Sequence, residues 1–212
     1  VPKSRNTEEI INCCKKHDIE LLPTTPTFFR LLLFNELIPK QFPKSIKIIT
    51  YGTEVMDQGT LTELCKLLPK VSFRQTYGLS EFSVLRAKSL RRNSLYVKIS
   101  GESLETKIRD RKLFLRSKRS MLGYINAPNP FDKDGWFNTQ DIVDTKGDFV
   151  KFLGRESNFV NVGGLKFSTK EIETVFLKRK DIINVRVIIK KNPITGQHID
   201  IDIEPKENSC LT

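Results

Sequence analysis

A hydroxyl and a carboxylate stand side by side at Ser80 and Glu81, in TYGLSE (Thr76–Glu81), directly after the strand-like run VSFRQ. Gly78 allows the backbone a sharp turn there. Tyr77, Ser80 and Glu81 are then expected to project from the carboxyl end of a strand, the edge at which α/β sheets bind ligands. Groups of this kind suit a phosphate and a metal ion. Further on, Asp141 ends GWFNTQD (Gly135–Asp141), behind a turn glycine and a tryptophan, Trp136, that the pattern buries. Arg155 follows in GRESNFVNVGG (Gly154–Gly164). Taken singly these segments are ordinary, a strand-ending turn or a solvated or capping acid; their joint spacing carries the meaning.

Periodicity shows which elements must hold them. Between Thr7 and Lys16, Ile10, Ile11 and Cys14 recur at helical spacing with His17, and IELL (Ile19–Leu22) is a short run of strand type. Thr25 before Pro26 is an N-cap with proline at the first helical position. FFRLLLF (Phe28–Phe34), apolar almost all round, predicts a deeply packed helix. IKIIT (Ile46–Thr50) reads as a buried strand, and Leu61, Leu64, Cys65 and Leu68 as the stripe of a helix stopped by Pro69. Helices alternating with short apolar strands argue for a layered α/β unit with parallel strands. From about Ser83 short alternating segments take over: YVKIS (Tyr96–Ser100), LETKIRD (Leu104–Asp110) and KLFLRS (Lys112–Ser117). They form a β-rich lobe closed by a hairpin in TKGDFVKFLG (Thr145–Gly154). A short hairpin follows, then a helix opened by the capping box Ser168/Glu171, then the strand pair VRVIIKK (Val185–Lys191) and HIDIDIE (His198–Glu204).

At 212 residues the chain can hold one sizeable core with one or two small lobes. No apolar run approaches the roughly 20 residues needed to span a bilayer. Val1 opens the sequence without a signal-like leader and reads as a cut. Four cysteines, Cys13, Cys14, Cys65 and Cys210, show no CxxC spacing and fit a reducing cytoplasm. His17 and His198 lie far apart and near no matching cysteine set, which argues against zinc. The formal charge of +11, from 36 basic and 25 acidic residues, suggests an anionic partner: nucleotide, coenzyme A, an acidic carrier protein, RNA or a membrane surface. The densest basic run, KIRDRKLFLRSKR (Lys107–Arg119), alternates with Ile108, Leu113 and Leu115 and reads as the solvated face of strands. Without interleaved aromatics or a nucleic-acid module, no nucleic-acid partner is expected.

Set side by side, the segments resemble the adenylate-forming (AMP-binding) superfamily of acyl- and aryl-CoA synthetases, luciferases and peptide-synthetase adenylation domains, from about Ile19 to Arg186. That family's YGxTE signature is similar to YGLSE (Tyr77–Glu81), and its GYxxxP element to GYINAP (Gly123–Pro128). Its GWxxTGD element is similar to GWFNTQD, and its GRxDxxxxxxG element with EIE to Gly154, Arg155, Gly164 and Glu171–Glu173. All four stand in family order. The resemblance implies an α/β fold in three parts. Residues 1–84 would be the second half of the α/β AMP-binding domain, 85–154 its β-rich, barrel-like subdomain, and 155–212 part of a small α+β C-terminal domain. It also implies a ligase that joins a carboxylic acid to ATP, releases pyrophosphate, and passes the acyl group to a thiol, most simply that of coenzyme A, with magnesium as the metal.

Residue by residue, the resemblance implies that Tyr77, with Gly78, lies against adenine. Gly52 and Thr53, in YGTE (Tyr51–Glu54), would wall the adenine and acyl pockets, with Phe28, Phe29 and Tyr51 as further wall. Ser80 would bind the α-phosphate and Glu81 the magnesium ion. Donors and a metal aimed at the phosphorus oxygens are the main need of such chemistry. Asp141 and Arg155 would hold the ribose in the fixed geometry that carboxylate and guanidinium provide. Gly164 would let the pantetheine arm pass, while Glu171 and Glu173 would be scaffold, capping and facing solvent.

Two departures stand out. Ser157 occupies the pivot between the adenylating and thioester-forming arrangements, where the family has Asp or Lys. Gln140 replaces the glycine before the ribose acid, and either narrows the pocket or moves Asp141. The 212 residues contain no glycine-rich Ser/Thr phosphate loop and no late lysine segment, so an incomplete chain, inactive alone, is expected. Two alternatives stay open: an enzyme loading an acidic acyl carrier protein, and a degenerate nucleotide- or anion-binding module without catalysis.

Overall fold

A computed structural model of the protein describes residues 6–162, 165–179, 181–194 and 196–206. Helix α1 (Thr7–Lys16) starts where the Asn6 side chain accepts the backbone N–H groups of Glu8 (2.8 Å) and Glu9 (3.3 Å), two donors that a helix start leaves free. The chain reverses at Asp18, whose φ is 46°, and enters β1 (Leu21–Thr24) two residues later than IELL suggests. β1 is an edge strand, where Pro23 is tolerated. Thr25 caps α2 (Pro26–Phe34) through the Phe28 N–H at 3.2 Å, as the sequence predicts. Only Phe29 and Leu32 among its large apolar residues are fully buried, so the all-round apolar pattern overstates how deeply α2 packs.

Strand β2 (Ile48–Tyr51), helix α3 (Gln58–Leu67), capped by Asp57, and strand β3 (Ser72–Gln75) complete the first unit. Its strands pair in parallel in the order β1-β2-β3, with Ile49 opposite both Leu22 and Phe73. The predicted stripe Leu61, Leu64, Cys65 and Leu68 is buried in one core with Ile11, Phe29, Leu32, Ile49 and Phe73.

Seven antiparallel strands follow: β4 (Tyr77–Leu79), β5 (Ser83–Ser89), β6 (Val97–Ser100), β7 (Glu105–Arg109), β8 (Lys112–Arg116), β9 (Phe137–Lys146) and β10 (Phe149–Arg155). Their order is β4-β5-β6-β10-β9-β8-β7, an open sheet with β4 and β7 at its edges. Leu113 and Leu115 are fully buried with Val97, Phe137, Val143 and Val150, while all of β7 is exposed. The basic run is a solvated strand face; the expected alternation holds in β8, where Leu113 and Leu115 are buried, and fails in β7, where Ile108 is exposed. Trp136 departs from expectation. It is half-exposed on the outer face, where the Lys107 ammonium and the Arg116 guanidinium lie 4.1 and 4.7 Å from its ring. The Asp132 carboxylate accepts the Trp136 backbone N–H at 2.8 Å.

After a 3-10 turn at Glu156–Asn158 come β11 (Phe159–Val162), β12 (Leu165–Ser168), α4 (Thr169–Phe176), β13 (Ile182–Asn192) and β14 (Gly196–Pro205), in sheet order β12-β11-β14-β13. The capping box does not form. Ser168 sits at the N-cap at the end of β12, opposite Phe159, but its hydroxyl is buried and makes no capping bond. Glu171 faces solvent; Glu173 does not, since it accepts the Val187 N–H at 3.2 Å and pins α4 to β13.

Arg92, between β5 and β6, ties the first two units together. Its guanidinium donates to the carbonyls of Cys65 (2.8 Å), Leu68 (2.5 Å) and Val71 (3.0 and 3.2 Å) at the end of α3. A cation bonded to carbonyls at a helix C-terminus contributes about 1–2 kcal/mol. Arg92→Ala is expected to lower unfolding stability by that amount in urea melts, whereas Arg91→Ala, whose side chain makes none of these bonds, stays within about 0.5 kcal/mol of the parent.

Candidate nucleotide site

At the carboxyl edge of the parallel sheet, the Thr76 N–H and hydroxyl both donate to the Tyr51 carbonyl, at 2.7 and 3.1 Å. This brings Thr76 so close to Gly52 that a Cβ there would lie 2.3 Å from the Thr76 Oγ1 and 2.9 Å from its carbonyl oxygen, so only glycine fits. Thr53 is exposed at φ 66°, its hydroxyl donating to the Gly52 carbonyl at 2.6 Å. Phe29 and Tyr51 correct the sequence expectation. Both are core residues, their rings 6.3 Å apart edge to face, and neither lines an open wall. Phe28 and Thr53 remain accessible.

Tyr77 leaves this edge on β4 and reaches across to β9. Its hydroxyl donates to Asp141 Oδ2 at 2.7 Å, and its ring stacks on Phe152 of β10 with centroids 4.4 Å apart. Asp141 is 8% exposed. Its N–H donates to the Thr139 Oγ1 at 3.1 Å, and that hydroxyl donates to the Leu113 carbonyl at 2.9 Å. Arg155 stands opposite Asp141 in the β9–β10 ladder, its Nε 3.6 Å from Oδ1. Burial raises the carboxyl pKa above its ordinary value, and the Tyr77 hydrogen bond, the Arg155 charge and the Thr139 hydroxyl offset only part of that. Burial, then the adjacent carboxylate, pushes the Tyr77 phenol up strongly, so it stays a donor. Gln140 adopts φ 60°, the left-handed backbone natural to glycine, with its side chain exposed and Asp141 still in register with Arg155.

Ser80 is exposed in the turn after β4, beside half-buried Glu81. Gly78 is also fixed by close approach, since a Cβ would meet the Ser83 carbonyl oxygen at 2.7 Å. The Tyr124 hydroxyl donates to Glu81 Oε1, and the Met121 N–H to the Glu81 carbonyl at 2.9 Å. Ser157 is exposed in the 3-10 turn just past Arg155. Gly164 lies outside the described residues. Among the described residues no cluster of three or more His, Cys, Asp or Glu could hold a metal by itself. Glu81 fits an ion that takes one protein carboxylate and completes its shell with phosphates and water, as magnesium does.

No protein-family model matches the chain. Its sequence is 26% identical over 204 residues to a long-chain-fatty-acid–CoA ligase of Yersinia pestis, covering 88% of this chain and 36% of that protein. It is 21% identical over 216 residues to a 4-coumarate–CoA ligase of Pinus taeda, covering 91% and 40%. The fold superposes on an anthranilate–CoA ligase bound to anthranoyl-AMP with a TM-score of 0.79 at 17% identity, over 100% of this chain and 44% of that one. ATP-bound MatB from Rhodopseudomonas palustris gives 0.78 at 18% identity, over 98% and 44%. The fold is that of the adenylate-forming enzymes, and the sequence resembles theirs. The chain spans less than half the length of these relatives. Among the described residues, no helix is long and apolar enough to cross a membrane.

Within this adenylate-forming fold, the structure joins Tyr77, Asp141 and Arg155 in one cluster and leaves Gly52 and Thr53 at the neighbouring sheet edge. Three contacting residues escape sequence reasoning. Thr139 and Tyr124 sit inside GWFNTQD and GYINAP, where the glycines, Trp136, Gln140 and Asp141 draw attention, and Phe152 looks like one more alternating strand residue. A cleft of about 350 Å³ is lined by Phe152, the Met56–Asp57 segment and α4; neither Tyr77 nor Asp141 lines it.

A carboxyl whose pKa is raised in the fold favours folding below its ordinary unfolded value of 3.8, and that contribution is lost as pH rises through the raised one. Asp141→Asn keeps an acceptor for Tyr77 and removes the titration. Its melting temperature relative to the parent is therefore expected to rise between pH 3.5 and pH 7, as followed by circular dichroism; a relative fall over that interval contradicts the burial account. Gln140→Gly, which removes a left-handed side-chain clash, is expected to gain about 1 kcal/mol in the same melts.

Proposed function

We propose that this chain is the nucleotide-binding middle of a ligase that activates a carboxylic acid with ATP as an acyl-adenylate and transfers it to a thiol, most simply coenzyme A. The observation that supports it is the convergence of Tyr77 and Arg155, from two other strands, on the buried Asp141 carboxylate. In this proposal Tyr77 and Gly78 offer the adenine surface beside Gly52 and Thr53. Asp141 and Arg155 hold the ribose hydroxyls, and Ser80 donates to the α-phosphate. Magnesium, held by Glu81, would neutralise charge on the phosphates. Ser157 would be the pivot and Gly164 the passage for pantetheine. The parts would be residues 1–84, 85–154 and 155–212, and a cytoplasmic setting suits the cysteine pattern. Thr53 and Phe28 give the acyl pocket only part of a wall, which suits an apolar acid. The 212 residues are assigned binding rather than turnover, so ATP–pyrophosphate exchange by this chain alone would contradict the proposal.

Titration calorimetry with AMP is the direct test. Loss of the Asp141 grip on the ribose is expected to cost about 2–3 kcal/mol, so Asp141→Ala binds AMP roughly 30- to 150-fold more weakly than the parent. No heat with AMP, together with binding to RNA, would favour a non-catalytic anion-binding module.

A further inference from the structure

The segment from Met121 to Pro130 has no regular secondary structure and is exposed along most of its length. Leu122 and Ile125 are 98% and 99% exposed, so burial of these side chains does not hold the segment in place. Its tether is a single residue. The Met121 N–H donates to the Glu81 carbonyl and the Tyr124 hydroxyl to Glu81 Oε1. Between the two, Gly123 takes φ 152°, a backbone that favours glycine and turns the tyrosine back toward Glu81. The other carboxylate oxygen, Oε2, receives no hydrogen bond from any described residue.

We propose that Tyr124 is a positioning residue for a divalent cation: its hydroxyl fixes the Glu81 carboxylate through Oε1 and presents Oε2 to the ion. The inference rests on the nucleotide-binding function proposed above. A glutamate left to itself samples many rotamers, and ordering it costs up to about 1.5–2 kcal/mol. A cation that takes one protein carboxylate has no other side chain to share that cost. A phenol donor orders the carboxylate without cancelling its charge, as a lysine or arginine in the same place would. Hydrogen-bond partners that orient a metal's ligands are typically worth 10- to 100-fold in metal affinity.

The test is a Mn2+ titration of the whole chain with α,β-methylene-ATP, followed by the electron paramagnetic resonance of the free ion, with metal-free AMP affinity measured on the same samples. Tyr124→Phe is expected to weaken Mn2+ about 10-fold while AMP affinity stays within twofold. Glu81→Gln is expected to lower Mn2+ affinity to that of α,β-methylene-ATP alone, and Leu122→Ser, in the same segment but away from Glu81, to leave both affinities unchanged. Parental Mn2+ affinity in Tyr124→Phe overturns the proposal; so does an equal loss of AMP and Mn2+ binding, which marks a merely structural role. If the parent chain binds no AMP, the nucleotide function falls and this inference with it. If AMP binds and Tyr124→Phe leaves Mn2+ affinity intact, only the inference about Tyr124 falls.

Discussion

Asp141 is the one buried acidic or basic side chain among the described residues, and the arrangement around it follows from what a buried carboxylate requires. Desolvating such a charge costs several kcal/mol unless its oxygens find donors. Tyr77 brings one donor from β4, Arg155 brings a guanidinium from the end of β10, and Thr139 fixes the backbone beneath. All three contributing strands, β4, β9 and β10, belong to the seven-stranded antiparallel sheet. A hydrogen bond across 64 residues of sequence ties the edge strand β4 to β9 within that sheet. The raised pKa of Asp141 records that its partners do not fully offset burial, a surplus that two ribose hydroxyls would meet.

Much of the fold is legible because its signals are local. The Thr25–Pro26 cap, the Leu61–Leu68 stripe and the turn at Gly147 depend on residues a few positions apart, and the structure has them as read. Signals that need a tertiary partner mislead. Ser168 and Glu171 have the spacing of a capping box, but the Ser168 hydroxyl is buried in the structure and makes no capping bond. Trp136 looks like core until the sheet places Lys107 and Arg116 over its ring on the outer face. Tyr51 and Phe29 pass for pocket wall because sequence does not distinguish an apolar residue facing a cavity from one facing a neighbouring ring.

The site shows the same division. Tyr77, Asp141 and Arg155 are visible as motif residues, yet their mutual contact is not, since nothing in sequence says that β4 and β9 converge. Gln140 illustrates how a departure can be absorbed: the position demands a left-handed backbone, glutamine accepts it at some cost, and Asp141 keeps its register. Tyr124 is the reverse case, a residue within a recognisable element whose role becomes visible only through its hydroxyl's single partner, Glu81.

If Tyr77, Asp141 and Arg155 form a nucleotide site, AMP must perturb those strands and little else. Backbone amide chemical shifts of the isotopically labelled chain, followed during an AMP titration, test this most directly. Saturable shifts concentrated at residues 76–81, 139–141 and 152–156 are the predicted result. The absence of shifts at millimolar AMP, or shifts confined to the cleft between Met56 and α4, would contradict it.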